Sequence, residues 1–361
     1  MQSESLLAGI GSRWQNRVAS LREYDVIREG NVFGTSFTDS FLYQDEFDCA
    51  RRLRDRLLEE YGNRSFGEVF PGKIHENDGG ECTVLTSREE IAIPLQDPEA
   101  LREAILSDLT LVKGIGPRTA ERLRKRGFTT IPDLTGHARY RVPAREFLQI
   151  IEEGDRPGLM AFIARRHSAS HPHILGMSTL FPPESLVFFD IETLGLFSRP
   201  IILFGVGRIE GGHISVSQYL LEDPSEEHAA LLETLTHLTG ENPALVTFNG
   251  KSFDLPYFRD RLAYYGTPFL AGIPHFDILH HSRRSWKNEL KDCRLGTLER
   301  EILGIQRSED LPSQMVPEFY ETYLETGNPG PLVPIVEHNR QDVVSLARLY
   351  ALHMERWNAG S

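Results

Sequence analysis

Three acidic residues lie in apolar segments of the sequence, where a charged side chain needs a partner. Asp190 and Glu192 end the apolar run LVFFDIET, which has the composition of a buried strand. Side chains two apart on a strand share a face, so these carboxylates project together and repel each other unless a cation or a proton lies between them. Asp254, in TFNGKSFDLPYF, is surrounded by bulky apolar residues and also needs a partner, unless it caps a helix. A metal site is the interpretation that provides a partner for all three carboxylates.

A histidine and an aspartate complete this candidate set. The sequence EHNRQDVVSL predicts a helix, and four residues turn a helix through about 400°, which leaves His338 and Asp342 on one face. The core-facing stripe of this helix is aliphatic, with the His–Asp pair at its border: Val336, Val343, Leu346 and Leu349. The pair is either a surface hydrogen bond or part of a site shared with the acids.

Further residues near these motifs are candidates for the same site. Asp277, in HFDIL, could approach a metal, although we favour a cap of the following helix. Asn249 and Phe253 belong to the segment that carries Asp254. A basic stretch after residue 282 either lines the path of a nucleic-acid strand or forms an exposed helix face: Arg283, Arg284, Lys287, Lys291 and Arg294.

A basic segment earlier in the chain has the pattern of a phosphate-binding turn. Residues 109–166 hold 12 Lys and Arg against 6 Asp and Glu, a net charge of +6 in a chain of net charge −13. In LTLVKGIGPRTAERLRKRGF, a Gly-Ile-Gly turn precedes a helix that starts at Pro117 and ends at a left-handed Gly127, so N–H groups are free to bind phosphate. This stretch resembles the helix-hairpin-helix motif, which implies sequence-independent contact with DNA; a hairpin that only packs domains is the alternative. The nucleic-acid-binding candidates are Lys113, Gly114, Gly116, Arg118, Arg122, Lys125 and Arg126.

The elements around these motifs indicate regions of different architecture. Before a boundary near residue 183, the sequence predicts a helix in DCARRLRDRLLEEYG, a hairpin in GKIHENDGGECTVLTS and short helices. After it, three successive strands and then alternating strands and helices favour an α/β fold with a mixed sheet covered by helices. The predicted regions are 1–98, of uncertain fold; 99–166, the helix-hairpin-helix module; 167–183, a linker; and 184–361, the α/β domain.

The bulk composition excludes several classes of protein. With 361 residues, 40% of them hydrophobic and 25% charged, the chain is ordinarily globular, and three cysteines are too few for a disulfide framework. No apolar run reaches the roughly 20 residues of a membrane span and the start lacks a signal-peptide pattern, so we expect a cytoplasmic protein; its oligomeric state stays open. His167, His171 and His173 could bind a metal, but no acid or cysteine is nearby in the sequence, so we interpret them as loop residues.

The order of the acids and the histidine resembles the three exonuclease motifs of the DEDD superfamily. Over residues 184–356, HFDILHHSRRSW, LGTLEREILGI and EHNRQDVVSL are also similar to the bacterial YprB-like ribonuclease-H-like proteins. The resemblance implies a ribonuclease-H-like fold and a metal-dependent 3′-to-5′ exonuclease with two Mg²⁺ or Mn²⁺ ions. The residues it implies are, for the first ion, Asp190, Glu192 and Asp342; for the second, Asp190 and Asp254; and for the attacking water, His338.

One departure from the family pattern concerns the histidine. The histidine branch of the superfamily places its His five residues before the last Asp and the tyrosine branch places its Tyr four before, whereas His338 lies four before Asp342. One residue turns a helix by about 100°, so the two spacings are not interchangeable. Two other functions stay open: a non-catalytic nucleic-acid-binding or scaffold protein, and an endonuclease or exoribonuclease. The complete set of carboxylates favours an enzyme, and the helix-hairpin-helix pattern favours DNA over RNA.

Overall fold

The structure, a computed structural model, describes residues 44–94, 97–196, 198–269, 272–307 and 311–360. The N-terminal stretch on which the expectation of no signal peptide rests lies outside these ranges. The described strands are β1 (Lys73–Asn77), β2 (Gly80–Glu90), β3 (Leu186–Thr193), β4 (Ile201–Glu210), β5 (His213–Leu220), β6 (Ala244–Thr247) and β7 (His275–Asp277). The described α-helices are α1 (Gln44–Tyr61), α2 (Phe66–Val69), α3 (Pro98–Ser107), α4 (Pro117–Arg124), α5 (Arg141–Glu152), α6 (Arg156–Ala164), α7 (Pro172–Gly176), α8 (Glu227–Leu238), α9 (Asp254–Tyr264), α10 (Ile278–Trp286), α11 (Leu295–Leu298), α12 (Val316–Thr326) and α13 (Leu332–Gly360).

The sheet has seven strands in the order β1-β2-β5-β4-β3-β6-β7. The pairs β3–β6 and β6–β7 are parallel, and the other neighbours are antiparallel. The predicted mixed α/β sheet and its three successive strands are therefore confirmed. The predicted hairpin is confirmed as β1 and β2, and β2 pairs with β5 from Thr83 opposite Leu220 to Glu90 opposite His213. Strands β1 and β2, which precede the predicted linker, thus extend the sheet that the second half of the chain forms. The domain boundaries stay a prediction.

Helices cover both faces of the sheet because the strands carry apolar side chains on both sides. On the interior strand β3, Phe188 faces α13 and contacts Tyr350 with ring centroids 5.8 Å apart, while Phe189 faces α9 and contacts Phe258 at 5.6 Å. All four rings are almost completely buried. Burial of each such side chain contributes about 1.5–3 kcal/mol. The sheet is therefore the middle layer, and α13 is fixed against one of its faces.

Two glycines of β4 allow α13 to approach the sheet closely. A Cβ added at Gly205 would lie 2.4 Å from Oδ1 of Asn339, and one at Gly207 would lie 2.7 Å from a methyl group of Val343. Contacts this short are not tolerated, so larger residues would push the helix outward. The glycines therefore set the distance between α13 and the polar end of β3.

The helical region between β2 and β3 shares its hydrophobic core with the face of the sheet that α13 covers. Buried residues of this region belong to one continuous apolar cluster that also includes Phe188 and Tyr350, among them Leu101, Ile105, Leu109, Val112 and Phe147. The short helices predicted for 99–166 are confirmed as α3 to α6. The helix predicted in DCARRLRDRLLEEYG is confirmed as α1, in which Cys49 is exposed and the next residue, Ala50, is buried. In the described part of the chain, no helix is long and apolar enough to span a membrane.

Candidate active site

Strand β3 carries the first two carboxylates to the edge of the α13 interface. Asp190 pairs in the sheet with Gly205, and the register shifts directly after Glu192, where the strand ends. Oδ2 of Asp190 accepts a hydrogen bond from the side-chain amide of Asn339 at 2.8 Å. Oδ1 of Asn339 in turn accepts one from Gln218 at 2.9 Å. Asn339 and Gln218 were not predicted as site residues, although Asn339 is adjacent to His338 in a motif already singled out.

Asp254 is brought to the same edge by a tight turn after β6. The turn needs the left-handed conformation of Asn249, which has φ of 68°. Asp277, at the end of the neighbouring strand, accepts the backbone N–H groups of Asn249 at 2.9 Å and Lys251 at 3.1 Å. It also caps α10 by accepting the N–H of Leu279 at 3.2 Å, so the predicted cap is confirmed. Asp277 therefore holds the turn from which α9 and Asp254 begin.

Helix α13 contributes the histidine and the last carboxylate. Nε2 of His338 lies 3.6 Å from Oδ2 of Asp342, one turn away, and 3.8 Å from Oε1 of Glu192 on β3. The two α13 residues do share a face, as their spacing predicts. The structure thus brings this pair to the strand acids, and the reading as an isolated surface hydrogen bond is wrong.

The four carboxylates interact electrostatically. Burial raises the pKa of Asp190 well above its ordinary value, and three nearby charges raise it further, those of Asp342, Asp254 and Glu192. The hydrogen bond from Asn339 acts in the opposite direction. Like charges raise a carboxyl pKa only at close range, so the acids form one cluster.

Asp254 shows the same effect with different neighbours. Burial raises its pKa to about 7. The backbone N–H groups of Asp254 itself and of Ile191 oppose the rise, whereas the charges of Asp277 and Glu192 add to it. Near neutral pH the metal-free site therefore retains protons, which a cation would displace on binding.

Arg307 is a site residue that no sequence motif predicted. Its guanidinium donates to both carboxylate oxygens of the buried Glu299 at 2.7 Å and to Oδ1 of Asp342. Although burial alone would lower it, the pKa of Arg307 is raised by Glu299 and Asp342, so the group stays charged. Its Nη1 lies 2.9 Å from Nδ1 of His338. Because arginine only donates, this contact selects the His338 tautomer that carries its proton on Nε2.

The donor set of this site suits a hard divalent cation. Four carboxylates supply oxygen ligands, the kind that Mg²⁺ and Mn²⁺ prefer, and their mutual repulsion is relieved by positive charge. Arg307 already supplies one positive charge at Asp342. The residues present therefore fit one or two divalent ions.

Of the remaining candidates, Phe253 adjoins Asp254 in the chain, whereas Arg283 and Arg284 lie on α10. Phe253 is partly buried and packs on Tyr257 with ring centroids 5.4 Å apart, next to Asp254. Arg283 and Arg284 are exposed on α10. The charge of Arg284 acts on His171, outside the carboxylate cluster. Exposure fits both interpretations of this basic stretch, an exposed helix face and the path of a nucleic-acid strand.

The basic segment has the local geometry that its sequence predicts. Pro117 is the first residue of α4, and Gly114 and Gly127 both adopt left-handed conformations, with φ of 88° and 91°. The side chains of Ala120 and Leu123 face the core. All seven nucleic-acid-binding candidates are exposed, which leaves them available to a ligand: Lys113, Gly114, Gly116, Arg118, Arg122, Lys125 and Arg126.

The three histidines of the linker lie beside an acid after all. His167 and His173 each place Nε2 near the same carboxylate oxygen of Asp108, at 2.9 and 3.2 Å. His171 stacks on His167 with ring centroids 3.7 Å apart. His167 and His171 lie in loops, as predicted, whereas His173 belongs to α7. The expectation that no acid lies nearby is wrong, because the fold brings Asp108 from about 60 residues earlier in the chain.

Comparisons with known proteins agree with this architecture. A family model described as RNase_H superfamily matches residues 187–354, the range that holds all four carboxylates and the histidine. The protein named Uncharacterized protein YprB, from Bacillus subtilis (strain 168), is 38% identical over 183 residues. That alignment covers 48% of this chain and 42% of the relative, so the chain spans less than half of the relative's length.

Proposed function

We propose that this chain is a metal-dependent nuclease, specifically a 3′-to-5′ exonuclease of the DEDD type that acts on DNA, because a family model described as RNase_H superfamily matches residues 187–354. The match supports a nuclease-type enzyme and a nucleic-acid substrate. The observation that carries the finer proposal is the convergence of Asp190, Glu192, Asp254 and Asp342, whose charges act on one buried carboxyl group. Such mutual repulsion opposes folding, and it is relieved when the site holds cations.

Each carboxylate has its own support in the proposed site. Asp190 is central, because the other three acids all act on it, and Asn339 fixes its orientation. Asp254 is held by the turn that Asp277 anchors. Two bound Mg²⁺ or Mn²⁺ ions would supply an activated water and charge stabilisation of the leaving 3′ oxygen. The chain's own task is to hold the acids rigidly enough to select that geometry.

His338 has a role that depends on Arg307. In the described arrangement Nδ1 faces the guanidinium and Nε2 carries the proton, so the ring donates toward the acidic edge. From there Nε2 can orient a water or a phosphate oxygen by hydrogen bonding. To accept a proton at Nε2, the ring must first lose the contact with Arg307 or transfer its proton. We therefore assign His338 an orienting role, with proton abstraction conditional on movement of Arg307.

The preference for DNA and the delivery of the strand rest on the basic segment. Exposed glycine N–H groups at the start of α4 and the cations that follow suit a phosphate backbone. Such contacts carry no sequence information, so the proposal includes no base preference. The 3′-to-5′ direction comes from the resemblance to the DEDD motifs and is tested below.

One observation favours the rival function, a nucleic-acid-binding protein without catalysis. Arg307 occupies Asp342 and is itself fixed by the buried Glu299, so a permanent cation already compensates part of the acidic site. If Arg307 does not move, its positive charge and its bond to Oδ1 oppose binding of a metal at Asp342. The rival therefore predicts nucleic-acid binding without turnover, and it makes Arg307 the residue to examine.

The test uses single- and double-stranded DNA and RNA labelled at the 3′ or 5′ end, with Mg²⁺, Mn²⁺ or EDTA. Asp190→Asn removes the central carboxylate, and Asp260→Asn, an exposed acid on α9, is the matched control. We expect stepwise, metal-dependent shortening from the 3′ end that disappears only in Asp190→Asn. Internal cuts identify an endonuclease, turnover of RNA alone identifies an exoribonuclease, and salt-sensitive binding without turnover supports the rival.

A further inference from the structure

Four side chains with the chemistry of metal ligands meet outside the carboxylate site. Asp108, His167, His171 and His173 each offer one ligand atom, and these atoms all lie within 4.8 Å of one another. Oδ2 of Asp108 is the centre of the group, because Nε2 of His167 and Nε2 of His173 both approach it. All four side chains are only partly accessible. We call these four residues the histidine cluster.

The histidine cluster is remote from the carboxylates. His173 belongs to α7, which ends at Gly176, and a Cβ at Gly176 would lie 2.8 Å from the ring of Trp357. Trp357 and Asp342 lie on the same helix, 15 residues apart, which corresponds to about 22 Å along its axis. The two groups share no residue, so one ion cannot serve both.

Hydrogen bonding alone does not satisfy the histidine cluster. Nδ1 of His173 is buried and has no hydrogen-bond partner in the described part of the chain. Burial lowers the pKa of His171 to about 4, so that ring is neutral at physiological pH. Although burial opposes it, hydrogen bonds from His173 and Thr110 lower the pKa of Asp108, which is therefore ionised. The histidine cluster therefore places one carboxylate oxygen between two imidazole nitrogens and leaves a further buried ring nitrogen without a hydrogen-bond partner among the described residues.

We propose that Asp108, His167, His171 and His173 bind one Zn²⁺ ion as a structural site. Imidazole nitrogen and carboxylate oxygen are ordinary zinc ligands, and four protein ligands make a closed site. The set is a poor one for Mg²⁺, which prefers oxygen. The ion therefore differs in kind from the cations of the carboxylate site.

The geometry requires a small contraction. Ligand atoms around a tetrahedral zinc are about 3.3 Å apart, so the most distant pair draws in by about 1.5 Å, within the reach of side-chain rotation. The stacked rings of His167 and His171 must also separate. His171 changes most, because its Nδ1 now accepts the backbone N–H of His173 at 3.2 Å and that tautomer leaves the proton on Nε2. Asp108, His167 and His173 form the part of the site that is already assembled.

The consequence concerns the basic segment. Asp108 directly precedes it and His167 directly follows it, so one ion would fasten both ends of residues 109–166. Closing a loop of this length removes conformational entropy from the unfolded chain. The zinc would thus fix the base of the proposed nucleic-acid-binding module. Only this consequence rests on the proposed function; binding of zinc does not.

The experiment measures zinc in the full chain by elemental analysis after purification, and by titration of Zn²⁺ in excess Mg²⁺. The excess Mg²⁺ keeps zinc from the carboxylates without competing for imidazole nitrogen. We expect one tightly bound equivalent, retained in Asp190→Asn. Removal of the zinc from Asp190→Asn by a chelator should lower the Tm of this variant by roughly 5–10 °C.

Two ligand variants and one control variant test whether the zinc binds at the histidine cluster. Asp108→Asn keeps the Oδ1 bonds that cap the turn at Thr110, at 3.0 and 2.6 Å, and changes only the atom that faces the histidines. His173→Ala removes a second ligand, and His213→Ala, on the β4–β5 turn, is the control. We expect at least a tenfold loss of zinc affinity in both ligand variants and none in the control.

Co²⁺ provides a readout that does not depend on stability, because tetrahedral Co²⁺ absorbs visible light far more strongly than octahedral Co²⁺. The strong band should appear in the wild-type chain and be lost in Asp108→Asn. Absence of zinc from the wild-type chain, or wild-type zinc affinity in both folded ligand variants, would overturn the proposal. Absence of nuclease activity from the wild-type chain, with zinc binding intact, would refute the proposed function and leave this site standing.

Discussion

Replacing Asp254 by Asn should stabilise the metal-free protein at alkaline pH. The side chain is 5% exposed, and burial raises its pKa to about 7 from an ordinary value of 3.8. In the unfolded chain the same carboxyl ionises near its ordinary value. Between these two pKa values the folded state must either hold a proton that the unfolded state has released or bury a charge, and both alternatives oppose folding.

The sign and size of the effect follow from this linkage. Well below its ordinary pKa of 3.8 the carboxyl is protonated in both states and contributes nothing. As pH rises toward 7 the unfolded state binds fewer protons, so the free energy of unfolding falls, by at most about 4 kcal/mol at 1.36 kcal/mol per pKa unit. Asparagine loses one acceptor for the N–H groups at this position, which costs about 1–3 kcal/mol. The variant should therefore gain about 1–3 kcal/mol at pH 8 and be no more stable than wild type at pH 4.

The assay is urea unfolding in EDTA at several pH values, followed by the fluorescence of the buried Trp286 and Trp357. Asp260→Asn, on the exposed side of the same helix, controls for the general loss of a carboxylate. Addition of Mg²⁺ should stabilise the wild-type chain and the control variant at pH 8, and stabilise Asp254→Asn much less. The wild-type advantage from Mg²⁺ should grow with pH, because the cation displaces protons.

Two results would refute the reasoning. If the stability difference between Asp254→Asn and the wild-type chain is the same at pH 4 and pH 8, Asp254 does not have a raised pKa. If the variant is less stable at pH 8 in EDTA, the carboxylate is a structural acceptor for its N–H donors, and its repulsion with the other acids is not the dominant effect.

Three further predictions follow from particular contacts. Gly205→Ala should destabilise the fold by about 1–3 kcal/mol in urea unfolding, because a Cβ there lies 2.4 Å from an α13 side chain, whereas Gly67→Ala has open space and should cost nothing. In Arg307→Lys the ammonium group keeps a positive charge for the buried Glu299 but cannot bind Glu299 and Asp342 together as the guanidinium does. The affinity for Mn²⁺, measured by calorimetry, should therefore rise about tenfold. An unchanged affinity would mean that the guanidinium does not compete with the ion. Lys125→Glu with Arg126→Glu should weaken DNA binding and reduce its salt slope by about 2, and an unaltered slope would remove α4 from the interface.

Local patterns in the sequence were sufficient for much of this description. The spacing of Asp190 and Glu192 on a strand, and of His338 and Asp342 on a helix, predicted shared faces because strand and helix periods are fixed by the backbone. The same holds for the glycine turns around α4, where left-handed conformations leave few other residues possible. Strand order along the chain predicted the mixed sheet. These features depend on neighbours a few residues away.

Other features depended on chain segments that only the fold brings together. The β1–β2 hairpin could not be assigned to the later sheet, because the partner of β2 lies more than 120 residues away in β5. Arg307 has no motif of its own, and its importance comes from the folded positions of Glu299 and Asp342. Asp108 likewise meets the linker histidines through packing of α3 against α7. Periodicity fixes which side of an element a residue occupies, whereas contact between distant elements is decided by the packing of the whole core.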